Sequence, residues 1–370
     1  MGQVLDRRDW LRQATLTIGG MSIASEFIAR LPIPGRRYAG ELRLHANENP
    51  YGPSNLARKA MAEAIGNSNC YPWEVTTRLR EKIAGIYGLN RDNIMMGAGS
   101  SEILGIVAQH AALKKGNAIA ADPTFGIWFT SVQRSGLDII KVPLDGAKKH
   151  DLQRMKEHVN DQTRLVYICN PNNPTGTVIP STDLKNFISE VSKRTLILLD
   201  EAYTEYSDET SLAALVKDNP NLVIAKTFSK IYGLAGARIG YAMAQTDVIR
   251  QLNELQPWAN AGASAVSLAG AIASLDDHNF VTTSKEKNSD ARDMVSRSFG
   301  ELQIPYIPSH TNFLYYSVSK QKKDLLSALA ANNIRAGRIT EANGSWSRIS
   351  IGTADDMKQF LNVVKQSFQL

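Results

Sequence analysis

Three apolar runs, Leu165 to Cys169, Leu196 to Leu199 and Leu222 to Ala225, constrain this chain more than any other feature. Each is continuous rather than alternating, so both faces of the strand it predicts are buried, as in parallel sheets covered by helices on either side. Ile119 to Ala121 reads the same way. Helical patterns with Gly or Pro punctuation separate the runs. Ser54 caps a predicted helix running to Gly66, and Val75, Leu79, Ile83 and Ile86 share one face of a second helix that stops at Gly88. This alternation predicts an α/β protein with a mainly parallel central sheet. Ligands of such sheets bind beyond the carboxyl ends of the strands, so the segments that follow the apolar runs are where chemistry is expected.

The chain has 370 residues, 43% hydrophobic and 21% charged, which is enough apolar surface to exclude a disordered chain. That length suits one large domain with a satellite, or two domains sharing an interface. The expected division is an N-terminal arm over 25–53, a large domain over 54–261 and a smaller α+β domain over 262–370. The small domain carries predicted strands at Phe313 to Val318 and Arg348 to Ile351. Two cysteines, Cys70 and Cys169, make neither a disulfide framework nor a four-ligand zinc site, and no histidine pair stands at i,i+4, so no metal is expected. Lys and Arg number 42 against 36 Asp and Glu, a net charge of +6. No basic run is interleaved with aromatics, so nucleic acid is not an expected partner.

The first residues form a unit of their own. Residues 6 to 12 read Asp-Arg-Arg-Asp-Trp-Leu-Arg, and the uncharged run from Gln13 to Ser25 is too short to span a bilayer. The segment resembles a twin-arginine export signal in Arg7, Arg8, Trp10, Leu11, Arg12, Gly19 and Gly20. Ser22-Ile23-Ala24 provides the small residues a signal peptidase reads, so residues 1–24 are expected to be removed on export to the periplasm. The alternative is an amphipathic arm on a cytoplasmic protein.

Four segments stand at or just beyond the predicted strand ends: Asn170-Pro-Asn-Asn-Pro-Thr-Gly176, Asp200-Glu-Ala-Tyr203, Thr227-Phe-Ser-Lys230 and Gly233 to Arg238. In this order, with 27, 30 and 8 residues from Asn173 to Asp200, to Lys230 and to Arg238, they resemble the fold-type I pyridoxal-phosphate aminotransferases. The histidinol-phosphate aminotransferase group is the most similar, from His45-Ala-Asn-Glu-Asn-Pro-Tyr-Gly52 to Arg348-Ile-Ser-Ile-Gly-Thr353. The resemblance implies an aspartate-aminotransferase-like fold and a pyridoxal 5′-phosphate cofactor. It also implies amino transfer from histidinol phosphate or an aromatic or related amino acid to a 2-oxo acid such as 2-oxoglutarate. The alternative on the same fold is a decarboxylase or racemase.

The resemblance assigns roles that the chemistry of the cofactor explains. Lys230 is the Schiff-base lysine, and once displaced by the substrate amine it becomes the general base. Asp200 pairs with the protonated pyridine nitrogen, which keeps the ring an electron sink. Asn173 and Tyr203 reach the phenolic oxygen. Phe125 stacks on the ring where the family often has a tyrosine, while Trp128 is open between core packing and the site. For the phosphate, Gly97-Ala-Gly-Ser-Ser101 runs into a predicted helix and offers Gly99, Ser100 and Ser101, a helix N-terminus with close backbone approach. Glu102 stands where a dinucleotide fingerprint has its third glycine. Thr227, Ser229 and Arg238 complete the phosphate cup by family analogy, and Tyr51 matches the tyrosine that reaches the neighbouring subunit's phosphate, which implies a homodimer with a shared site. Arg348 matches the arginine that forks onto the substrate carboxylate, with Arg338 and Arg335 as alternatives for the substrate phosphate.

Overall fold

The computed structural model describes residues 37–38, 40–321, 323–337 and 345–368. The signal-like segment 1–24 and Arg338 lie outside the described residues. In chain order the strands are β1 (Arg37–Tyr38), β2 (Glu41–Leu44), β3 (Ile94–Gly97), β4 (Asn117–Asp122), β5 (Asp138–Pro143), β6 (Thr163–Cys169) and β7 (Leu196–Asp200). They continue with β8 (Leu222–Thr227), β9 (Gly240–Met243), β10 (Tyr306–Ile307), β11 (Phe313–Ser317), β12 (Ile334–Ala336) and β13 (Trp346–Ser350). The helices are α1 (Asn55–Ala64), α2 (Trp73–Tyr87), α3 (Ser100–Ala111), α4 (Gly126–Ser135), α5 (Leu152–Glu157) and α6 (Ser181–Val191). After them come α7 (Thr246–Asn253), α8 (Ala265–Asp276), α9 (His278–Glu301), α10 (Leu325–Ala331) and α11 (Ala354–Phe368).

Local chemistry sets the helix ends. The Ser54 hydroxyl accepts from the Ala57 amide at 3.1 Å and so starts α1, while Gly88 adopts the left-handed conformation that stops α2. The α1 helix is shorter than the sequence reading: its last turn tightens into a 3-10 turn over Ile65–Asn67.

Seven strands form the central sheet in the order β3-β9-β8-β7-β6-β4-β5. Neighbours from β5 to β8 pair in parallel, and β9 runs antiparallel to both β8 and β3. The continuous apolar runs are explained by burial on both faces. Val166, Ile168, Ile197, Leu199, Leu222 and Ile224 pack on one side with α2, α6 and α8. Leu165, Tyr167, Cys169, Leu198, Val223 and Ala225 pack on the other with α3, α4 and α7. Trp128 is fully buried there and stacks on Tyr167, with centroids 4.4 Å apart and planes 12° apart, so it belongs to the core.

From α9 onward the chain builds a separate layer. The sheet β10-β11-β13 is antiparallel and packs Leu314, Tyr316 and Ile349 against Val295, Phe299 and Phe360. The arm joins this layer too: β2 pairs in parallel with β12, and Leu42 and Leu44 are buried in the same core. Among the described residues no helix is long and apolar enough to cross a membrane.

Candidate active site

Because β6, β7 and β8 are adjacent and parallel, their carboxyl ends release three loops at one edge of the sheet. The strand ends and the loops after them carry Asn173, then Asp200 and Tyr203, then Thr227, Ser229 and Lys230. All six line one cavity of about 190 Å³, together with Ser100, Ser101, Phe125 and Arg238.

Asp200 lies at one end of it, 3% exposed. Its Oδ2 accepts from the Tyr167 hydroxyl at 2.9 Å and its Oδ1 from the Ala202 amide at 3.1 Å. Burial pushes its pKa up to about 6 against these donors, which pull the other way, as does Lys230.

Tyr203 stands at the junction of three chain regions. Its hydroxyl accepts from Asn47 Nδ2 at 3.0 Å and from Asn173 Nδ2 at 3.4 Å. Burial raises its pKa, so the phenol keeps its proton and, with both amides donating to it, can give that proton into the cavity. Its ring meets Phe313 of β11 edge-on at 5.1 Å. Asn47 holds its place through a left-handed backbone (φ 54°) and bonds to Ser350: the Asn47 amide donates to Ser350 Oγ at 2.8 Å, and that hydroxyl donates to Asn47 Oδ1 at 3.0 Å.

The opposite end of the cavity is rich in donors. Gly99, with φ 81°, precedes the first turn of α3 without a side-chain cap, so the first amides of that helix face the cavity region that Ser100 and Ser101 line. Glu102 reaches back to the Ala98 amide, which explains an acid where a glycine would have suggested a dinucleotide site. Thr227 Oγ1 donates to Ser229 Oγ at 2.9 Å, and Arg238 is held by the Ala235 carbonyl at 3.0 Å and the Ala98 carbonyl at 3.3 Å. Gly99 leaves the room this needs, since a Cβ there would strike the Arg238 guanidinium, and one on Gly240 would come 2.6 Å from the Ser100 amide.

Between the two ends, Lys230 Nζ lies 5.4 Å above the Tyr203 ring and donates to the Ala46 and Asn47 carbonyls, each at 3.4 Å. Burial, helped by the Arg348 charge, lowers its pKa to about 8, while Asp200 opposes the shift.

An outer cavity of about 870 Å³ adjoins the inner one and shares Phe125 and Asn173 with it. Phe125, Ile127 and Phe129 give its lining apolar surface, Arg335 and Arg348 give it positive charge, and His45 and Asp122 line it too. Arg348, on β13, directs one nitrogen to Asn173 Oδ1 and another to the His45 carbonyl at 2.8 Å, and its Nε is buried without a hydrogen-bond partner. Arg335, on β12, is exposed at the rim and pairs with Glu41 at 3.4 Å. Tyr51 is not brought to the inner cavity; Lys287 Nζ lies 5.1 Å over its ring.

The chain matches the family model of aminotransferase class I and II over residues 39–364. It belongs to that family. The histidinol-phosphate aminotransferase of Caldicellulosiruptor saccharolyticus is 35% identical to this aminotransferase over 330 residues, 88% of this chain and 91% of that protein. Among solved structures, a putative histidinol-phosphate aminotransferase from Erwinia carotovora atroseptica superposes with a TM-score of 0.84 at 28% identity, covering 89% of this chain and 96% of the other. The histidinol-phosphate aminotransferase of Sinorhizobium meliloti, solved in complex with pyridoxal-5′-phosphate, gives 0.78 at 27%, covering 88% and 90%. The aminotransferase described here is pyridoxal-phosphate dependent. Its cavity fits that group in the order of its chemistry: amide, hydroxyl and guanidinium donors at one end, an amine between, and a buried carboxylate at the other.

Two residues of this aminotransferase's site escaped the sequence reading. Asn47 lies within the Asn-Glu-Asn-Pro-Tyr motif, which assigns it no role, and Tyr167 lies inside an apolar run that reads as a buried parallel strand. The signal for Tyr167 was a hydroxyl in an otherwise apolar buried strand, which needs a partner.

Proposed function

We propose that this aminotransferase takes its amino group from histidinol phosphate and gives it to 2-oxoglutarate. The observation that carries the reading is the outer cavity, lined by two arginines and by Phe125, Ile127 and Phe129, a fit for an anionic amine with a flat ring. The similarity to histidinol-phosphate aminotransferases supports it. Those relatives also favour amino transfer over decarboxylation or racemisation. With holoenzyme, 2-oxoglutarate and a panel of donors, glutamate is expected to form fastest with histidinol phosphate; turnover of phenylalanine or tyrosine with none of histidinol phosphate would overturn the assignment.

Bound pyridoxal phosphate supplies an aldehyde and an electron-withdrawing ring, which together make the Cα–H bond of an attached amine acidic. The chain does the rest. Ser100, Ser101, Thr227, Ser229 and Arg238 hold the phosphate, and Asp200 accepts the ring N–H. Tyr203 donates to the phenolic oxygen, steadied by Asn47 and Asn173, while Phe125 covers the ring. Lys230 carries the proton at Cα; with a pKa lowered to about 8, a useful share of its amine is neutral near physiological pH. Arg348 orients the substrate carboxylate, and Arg335 meets the phosphate at the rim.

A homodimer with a shared site completes this reading. It is supported by Tyr51 lying outside the inner cavity of its own chain, and by an exposed aromatic patch. Tyr71, 68% exposed, Trp73 and Trp258 cluster with ring centroids 4.9–5.3 Å apart, a surface suited to burial by a second copy. Tyr51→Phe protein mixed and reassembled with Lys230→Ala protein is expected to exceed the summed activities of the two alone, because each hybrid gains one intact site. No gain on mixing would mean that Tyr51 serves its own chain. Export by the twin-arginine route remains part of the proposal, and N-terminal sequencing of the periplasmic protein is expected to begin at residue 25.

A further inference from the structure

We propose that Tyr167 is a positioning residue for the cofactor: its hydroxyl fixes the Asp200 carboxylate in the attitude that receives the ring N–H. The inference rests on the placement of pyridoxal phosphate in the inner cavity with Asp200 at its ring nitrogen.

Tyr167 is fully buried on β6, one strand from Asp200 on β7, and the register pairs Cys169 with Asp200 at the strand ends. Its phenol therefore reaches forward to Asp200 Oδ2 at 2.9 Å. Trp128, stacked 4.4 Å away and nearly parallel, covers one face of the ring and holds it in one orientation. Phenylalanine would fill the same space, so core packing leaves the hydroxyl unexplained. A buried hydroxyl without a partner costs free energy, and here the partner is the Asp200 carboxylate that lines the inner cavity.

Electrostatics gives the contact direction. Burial raises the Tyr167 pKa well above the ordinary value, so the phenol stays a neutral donor beside Asp200. A carboxylate has about four lone-pair directions, and Tyr167 and the Ala202 amide occupy two, one on each oxygen. Both contacts favour the ionised form, the one that can accept a proton-bearing ring nitrogen. Tyr167 touches neither substrate nor reacting atoms; it acts through Asp200.

The test compares two cofactors on apoprotein: pyridoxal phosphate, and its 1-deaza analogue, in which C–H replaces the ring nitrogen. Tyr167→Phe keeps the ring against Trp128, so the core stays packed. It is expected to weaken pyridoxal phosphate binding about tenfold, the scale of one hydrogen bond to a charged group, and to leave analogue binding within about twofold. In an Asp200→Asn background the same substitution is expected to change pyridoxal phosphate binding by less than about twofold. Equal weakening of both cofactors would show a merely structural role. Unchanged pyridoxal phosphate affinity, or full additivity with Asp200→Asn, would equally overturn the proposal. A wild-type protein that binds the two cofactors equally well would overturn the Asp200 assignment beneath it, a result distinguishable because it precedes any Tyr167 substitution.

Discussion

Lys230→Ala is expected to lower amino-donor turnover by about four orders of magnitude, the upper range for loss of a positioned general base. The effect should fall on kcat. The donors at the first turn of α3, with Thr227, Ser229 and Arg238, which the proposed function assigns to the phosphate, are untouched, so the variant should still bind pyridoxal phosphate. The bound cofactor should instead show the spectrum of the free aldehyde, without the visible band of a lysine-linked one. A visible band that survives would mean another lysine has been overlooked. Lys226 is the nearest rival in sequence, and its environment rules it out. It is 2% exposed, paired with Glu205 at 2.8 Å and Glu201 at 3.4 Å, and held protonated there. Thr227, next to Lys226 on β8, lines the cavity, so Lys226 points to the opposite face, and past the end of β8 the chain brings Lys230 to the cavity.

Asp200→Asn is expected to cost 100- to 1,000-fold in kcat, roughly the scale of removing one preorganised electrostatic partner from a buried site. Its effect on the apoprotein should have the opposite sign. Burial raises the Asp200 pKa from 3.8 to about 6, so between those values the folded state holds a proton that the unfolded chain has lost. Stability from this group is therefore lost as pH rises from about 4 to 6, and the shift of about 2 units corresponds to about 3 kcal/mol. Urea unfolding of apoprotein at pH 8 should find Asp200→Asn more stable than wild type by up to that amount, with the difference closing toward pH 4. A variant less stable than wild type at pH 8 would show that the carboxylate's bonds to Tyr167 and Ala202 outweigh its burial.

Much of this was legible in the sequence because it is local. Strands buried on both faces must be continuously apolar, so β6, β7 and β8 announced themselves, and with them the loops bearing Asn173, Asp200 and Lys230. The Ser54 cap and the Gly88 stop are equally local. What could not be read depends on pairing across the chain. The antiparallel β9 is four residues with a glycine at its head, and nothing in Gly240–Met243 states its direction. Asn47 gains its role from Ser350, 303 residues away, and Arg348 lends its fork to Asn173 and the His45 carbonyl, contacts that no spacing predicts. In sequence Trp128 suits ring stacking and the core equally, and only its stack on Tyr167 across the fold assigns it to the core.

The pairing of β2 with β12 sets a timetable for the protein. Leu42 emerges early in synthesis, yet its partner Ile334 follows 292 residues later. At about 5–20 residues per second, β2 waits roughly 15–60 s before its sheet can close. Asn47 lies three residues beyond β2, and its Ser350 contact comes later still, so the support for Tyr203 is assembled last. A nascent chain can thus complete the central sheet while its chemistry is still switched off, and fragments ending before about residue 330 should fold in part without ever becoming enzymes.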